Sequence, residues 1–106
     1  MRPPIFYLGV ITGKIKEKMS ISVIIPVYNS SNTLEKAVES CLIQNEVSEI
    51  VLINDVSNDN TLELCIKLSN LYKRIKVVNV DSNINLGAGN ARNLGILISK
   101  NDYIAF

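Results

Sequence analysis

Ile21-Ser22-Val23-Ile24-Ile25-Pro26-Val27-Tyr28-Asn29 is the stretch whose reading decides the fold. It is an apolar, mostly β-branched run cut by a proline and closed by a polar pair. A run of this kind reads as a strand buried on both faces, which occurs in parallel sheets covered by helices. Pro26 brings no N–H to a ladder, so sheet pairing is predicted to fade there. The residues that follow then leave the sheet at its carboxyl edge, where open α/β folds hold ligands. Tyr28 is accordingly placed in a binding crevice.

Working outward, Ser30 to Thr33 form a polar turn, with Asn32 and Glu35 at the spacing of a capping box. Leu34, Ala37, Val38, Cys41 and Leu42 follow at helical spacing and predict a first amphipathic helix that fades near Gln44-Asn45. Glu49 to Ile53 reads as a second buried strand, running into the polar cluster Asn54 to Thr61. Ser57, Asp59 and Asn60 are all competent caps for a second helix. Its inner stripe is read as Leu62, Cys65, Ile66 and Tyr72, widened by Leu64, Leu68 and Leu71, with Lys73-Arg74 complementing the dipole at its end. Ile75 to Val80 alternates as a strand near a sheet edge should. A turn-rich loop over 81–87 precedes a third helix over Ala88 to Ser99, with Ala91, Leu94, Gly95 and Ile98 facing inward, and Tyr103 to Phe106 reads as a fourth strand. The order β-α-β-α-β-α-β with short links predicts an α/β fold: a mainly parallel sheet with helices on both faces.

The bulk numbers agree with one globular unit. Of 106 residues, 47% are hydrophobic and 20% charged, which separates the chain from disordered sequences. The net charge of +1 offers no electrostatic case for nucleic acid. That charge is uneven, with four basic residues against one acidic up to Lys18 and seven against nine thereafter. Residues 1–18 contain the short apolar run Ile5 to Ile11 followed by lysines, too short to span a bilayer and in the wrong order for a secretory signal. They are read as an extension outside the fold, which begins at Met19; a weak interfacial anchor is the functional alternative. Cys41 and Cys65 sit at apolar helical positions with no ligand spacing around them, which suits small buried hydrophobes in a reducing cytosol.

The strand ends gather Pro26, Val27, Tyr28 and Asn29 from the first loop, then Asn54, Asp55, Ser57 and Asp59, then Asn83, Asn85 and Gly87, with Arg92 and Asn93 in the following helix. An aromatic ring, a carboxylate, amides, a helix N-terminus and an arginine suit a base, a sugar and an anionic phosphate. Each also has a plain structural reading. Asp55 is equally a strand-end turn former, Ser57, Asp59 and Asn60 are caps first, Tyr28 is a rim aromatic, and Arg92 is a solvated helix residue. Gly87-Ala88-Gly89 lacks the third glycine of a dinucleotide fingerprint and follows the third strand, so that motif is set aside.

Four segments in order carry a family resemblance: Ile21 to Asn29, Ile53 to Thr61, Asn85-Leu-Gly-Ala-Gly-Asn-Ala-Arg-Asn-Leu-Gly95, and Tyr103 to Phe106. Together they resemble the nucleotide-sugar-binding portion of family 2 glycosyltransferases of the GT-A fold, over Met19 to Phe106. The resemblance implies a Rossmann-like half of that fold, truncated before an Asp-x-Asp motif that holds Mn²⁺ or Mg²⁺ in full-length enzymes. It implies a UDP-sugar donor, an inverting transfer to a glycan or lipid-linked acceptor in cell-surface polysaccharide synthesis, and a place in the cytoplasm or at the cytoplasmic membrane face. By position it makes Pro26, Val27, Tyr28, Asn29, Asp55, Gly87 and Arg92 the nucleotide-binding residues, with Tyr28 packing on the base and Asp55 hydrogen-bonded to it. No catalytic or metal-ligating residue is expected within these 106 residues, so the chain alone is expected to be inactive. Two departures stand out: Asn54 replaces the first acidic residue of the second motif, and Val56 stands where a small residue is usual. If the loop needs a positive φ there, the valine is strained. A non-catalytic α/β binding module, or a truncated product with no function of its own, is the alternative that the residues leave open.

Overall fold

The structure is a computed structural model and describes residues 20–106, so the leader assigned outside the fold lies outside the described residues. Strands β1 (Ile21–Val27), β2 (Val47–Asn54), β3 (Ile75–Asn79) and β4 (Tyr103–Ala105) alternate with helices α1 (Leu34–Leu42), α2 (Thr61–Leu71) and α3 (Ala88–Ile98). The strands form one parallel sheet in the order β3-β2-β1-β4. The chain therefore steps outward from β1 to β3, then returns to the other side of β1 to lay down β4. That reversal puts a topological switch point between β1 and β4, where the loops leaving neighbouring strands diverge.

The apolar strands are explained by this order. β2 lies between β1 and β3, and its last six residues, Glu49 to Asn54, are all buried. Ile21, Val23 and Val27 face α1 and α2 together with Leu34, Val38, Cys65 and Leu68. Ile24, Val51 and Ile53 face the opposite way, toward Ala91 with Leu94 beside it on α3. β3, at the edge, keeps only Ile75 fully inside. Pro26 does not end β1: the strand continues to Val27, paired with Asn54. The reason is orientation. Ile21 and Val27 direct their ladder bonds toward β2, so the alternate residue Pro26 turns its missing donor toward β4, whose pairing reaches only as far as Val23.

Three details differ from the periodicity. On α2, Cys65 and Leu68 are buried with Leu64 beside them, whereas Ile66, Leu71 and Tyr72 are exposed; the helix stops at Leu71, before the stripe closes. On α3, Ile98 is exposed in the last turn. Arg74 does not serve its own helix. Its guanidinium donates to the carbonyls of Leu42 at 2.7 Å and Val47 at 2.8 Å, capping the end of α1 and the turn into β2.

Gly95 fixes how closely α3 lies on the sheet. A Cβ there would overlap Ile24 Cγ2 and meet its Cδ1 and Cγ1 at 3.1 and 3.2 Å. Ile24 is fully buried in β1 and has nowhere to retreat. Gly95→Ala is expected to lower stability by about 1–3 kcal/mol, the usual cost of overpacking, read as a lower midpoint in urea at unchanged slope.

The amino edge is closed by a buried carboxylate. Glu49, 2% exposed, accepts from Ser22 Oγ at 2.6 Å, from Lys76 Nζ at 2.6 Å and from the Lys100 N–H at 2.9 Å. Asn101 Nδ2 adds bonds to Ser22 Oγ and Ser48 Oγ. One side chain thus ties three strands to the turn that launches β4. Burial by itself pushes the Glu49 carboxyl up, but the bonds from Lys76, Ser22 and Lys100 outweigh it and hold the group below its ordinary value. A lowered folded-state pKa stabilises the fold above the ordinary glutamate value, about 4.3, and that contribution is lost as the pH falls through the lowered value. Melting curves below about pH 4.3 should therefore show a fall in stability that is smaller in Glu49→Gln, a variant that is already weaker at pH 7.

Candidate nucleotide site

Three loops meet at the carboxyl edge, and the ladder decides which residues become neighbours. The last pairing of β1 with β2 is Val27 with Asn54, and the Asp55 N–H then donates to the Val27 carbonyl at 2.9 Å. Tyr28 and Asp55, the first residues past their strands, therefore emerge side by side. Tyr28 is 46% exposed, a ring presented at the rim. Asn29 adopts a left-handed φ of 48°, tolerable for asparagine.

The first two loops are stitched together by polar side chains. Asn29 donates its N–H to Ser57 Oγ at 3.1 Å and accepts from the Asn58 N–H at 2.8 Å. Asn58 Nδ2 reaches the Tyr28 hydroxyl at 3.5 Å. Thr61, fully buried, accepts from the Ser30 N–H at 2.9 Å and donates both its N–H and its hydroxyl to Asp59 Oδ1. That hydroxyl is the main reason the Asp59 carboxyl is held below its ordinary value. Asp59 thus caps the entry to α2, while the side chain of Asn60, at the N-cap position, makes no capping bond. At the start of α1, Thr33 holds the N-cap position, again without a side-chain cap, and the N–H groups of Thr33 and Leu34 go to the Ser30 carbonyl.

The departure at Asn54 has a local explanation. Its buried amide donates to Asn79 Oδ1 at 2.8 Å and accepts from Ser57 Oγ at 2.6 Å. A neutral amide does both at once; an aspartate would bury a charge there and have no donor to offer.

Asp55 links the third loop to the other two. It is 3% exposed, and its carboxylate accepts from the Leu86 N–H at 2.7 Å and the Gly87 N–H at 2.9 Å. Its carbonyl accepts from Asn85 Nδ2 at 2.7 Å. Gly87, the N-cap of α3, has φ 88° and ψ 153°, a conformation reserved for glycine. From there α3 carries Arg92, whose guanidinium lies over the Phe106 ring, 5.8 Å from its centroid. That contact holds the cation beside the end of β4, at the switch point. The structure thus draws Tyr28, Asn29, Asp55 and Gly87 to one edge, with Val27 buried beneath them and Pro26 half-buried in β1. Asn54, Asn58 and Asn79, which knit this edge, carry only the diffuse sequence signal of asparagine-rich strand ends. Among the described residues no group of three or more His, Cys, Asp or Glu side chains could hold a metal ion.

Residues 22–106 match the model of the family described as glycosyl transferase family 2. The chain belongs to that family. Among family 2 relatives, the uncharacterized glycosyltransferase YibD of Escherichia coli (strain K12) is 36% identical over 87 residues, which are 81% of this chain and 24% of the relative. The poly(ribitol-phosphate) beta-glucosyltransferase of Bacillus spizizenii (strain ATCC 23059 / NRRL B-14472 / W23) is 34% identical over 91 residues, 83% of this chain and 14% of the relative. The chain thus spans a quarter or less of the length of these two proteins. The mannosyltransferase PcManGT of Pyrobaculum calidifontis, solved with GDP-Man and Mn²⁺, superposes with a TM-score of 0.70 at 17% identity, over 86% of this chain and 27% of that one. That likeness establishes the GT-A fold.

Val56 is the strained member of the edge. Its φ of 58° puts a β-branched residue in the left-handed region. The strain of such a residue, about 1–3 kcal/mol, exceeds the roughly 0.5–1 kcal/mol entropic cost of a glycine. Val56→Gly should therefore be more stable than the parent, read as a higher melting temperature.

Proposed function

We propose that this chain is the donor-binding portion of an inverting glycosyltransferase, and that its carboxyl edge holds a nucleotide-sugar, with UDP as the nucleotide. The observation that carries the reading is the emergence of Tyr28 and Asp55 side by side at the carboxyl edge of a family 2 fold, with Asp55 holding Gly87, the N-cap of the helix that carries Arg92. The exposed Tyr28 ring offers a face for the base, with the backbone of Pro26, Val27 and Asn29 as the floor. Asp55 lies next to it, each oxygen keeping a second lone pair for a ring N–H. Arg92, always charged, faces the diphosphate.

A divalent cation, Mn²⁺ or Mg²⁺, would neutralise the diphosphate leaving group. The acceptor is a glycan or a lipid-linked sugar of a cell-surface polymer, and the work is done in the cytoplasm or at the cytoplasmic face of the membrane, with peripheral association. Relatives whose names refer to minor teichoic acid biosynthesis and to poly(ribitol-phosphate) glucosylation support the polymer class. No described helix is long and apolar enough to cross a membrane. By this reading the 106-residue chain binds a donor and transfers no sugar.

Calorimetric titration with UDP tests this. Binding that weakens about 10- to 100-fold in Tyr28→Ala, the worth of one stacked base, supports the proposal. A folded protein that ignores UDP and other nucleoside diphosphates would return the chain to a non-catalytic module.

A further inference from the structure

Asp55 makes more bonds to the protein than a base-binding carboxylate needs. Its N–H joins β1 through Val27, its carbonyl accepts from Asn85, and its two carboxylate oxygens take the N–H groups of Leu86 and Gly87. Within the 81–87 loop these bonds fall on three successive residues, immediately before α3. Among the described residues the loop has little else to order it: Asn83, Ile84, Asn85 and Gly87 are exposed, and Ser82 Oγ accepts from the Ile84 N–H within the loop. Asn90 adds a bond from its side chain to the Leu86 carbonyl, which extends the order from Leu86 into α3.

We propose that Asp55 is a positioning residue, which sets where the first turn of α3 begins and so where Arg92 stands against the donor's diphosphate. The chemistry favours a carboxylate at this position. Two adjacent backbone N–H groups present two donors to one acceptor group, and a carboxylate offers an oxygen to each. An amide offers one oxygen and one NH₂, and the NH₂ opposes the second donor. Gly87 is needed for the same geometry, because φ 88° aims its N–H back at Asp55 while the chain turns into the helix. Asp55 thus acts on the donor through Arg92 as well as through any bond it makes to the base. This inference rests on the nucleotide reading above only for its ligand; the clamp itself is a property of the free chain.

The test has two parts. In the free protein, Asp55→Asn is expected to speed amide exchange at Leu86 and Gly87 by about tenfold or more, as loss of a charge-assisted bond in a local opening should. Amides of the β1–β2 ladder should stay protected. Asn85→Ala, an exposed substitution that leaves the carboxylate in place, should loosen the same amides to a smaller degree. Unchanged protection at Leu86 and Gly87 in Asp55→Asn overturns the proposal whether or not any nucleotide binds. If Asp55→Asn unfolds the protein, Asn85→Ala decides alone: selective loosening supports the clamp, and no change overturns it. The second part uses UDP and its N3-methyl analogue, whose base has no ring N–H to donate. Positioning predicts that Asp55→Asn weakens both ligands, and that the loss on the analogue disappears when Arg92 is already Ala. Equal binding of the analogue by parent and Asp55→Asn overturns the role toward Arg92. Failure of the parent to bind UDP refutes the nucleotide reading and leaves the exchange result standing.

Discussion

One hydrogen bond, from the Asp55 N–H to the Val27 carbonyl, extends the β1–β2 ladder one step past the last paired strand residues. The carboxyl edge depends on it. It delivers Tyr28 and Asp55 to the same edge, and it does so only because β1 and β2 are parallel, adjacent and in that register. A shift of one residue would turn Asp55 to the opposite face of the sheet. The register in turn is held by burial on both faces, since Val23 and Val27 must meet α1 and α2 while Ile24 meets α3. Packing far from any ligand thus aligns the groups that would bind one.

The two ends of the sheet use carboxylates in opposite ways. Glu49, at the amino end, is buried among a lysine, a serine and a backbone N–H, and fastens the turn before β4 to three strands. Asp55, at the carboxyl end, accepts the backbone N–H groups of Leu86 and Gly87 at its side chain and fastens a loop. Removing either partner of such a buried arrangement costs more than the pair contributes, because the remaining group is left unsatisfied. Both therefore serve as geometric fixtures. Glu49 sets where β4 starts, and Asp55 sets where α3 starts. Arg92 on α3 and Phe106, the residue after β4, meet at the switch point as a result.

Strain and close approach are confined to few positions. Gly95 lets α3 settle onto Ile24, and Gly87 turns the chain into that helix. Asn29 and Val56 take the left-handed region in the two loops that carry Tyr28 and Asp55. Asparagine does this cheaply and valine does not, so the cost falls at the edge read as the ligand site, where local strain is commonly kept.

Much of this was legible in the chain itself. Hydrophobic run length and period marked all seven elements, and β3 read as an edge strand because its residues alternate. Four motifs at ordered spacing identified the family and named Tyr28, Asp55, Gly87 and Arg92. A left-handed Val56 was foreseeable as a conflict between residue type and loop shape. Strand order was not legible, because period reports which face of an element is apolar and says nothing about which neighbour covers it. For the same reason the exposure of Ile66, Leu71 and Tyr72 on α2 and around its end was missed: all three are apolar, but the helix turns them away from β2 and β3. Arg74 was assigned to its own helix because sequence distance favoured it, while the fold brought the end of α1 closer. The buried state of Glu49 and the double grip of Asp55 depend on atoms 27 to 51 residues apart in the chain. Local sequence determined which residues can form strands, helices and a polar edge at the strand ends. Only the tertiary structure decided which carboxylate anchors which loop, because that choice is made by long-range geometry and by which donors burial leaves without water.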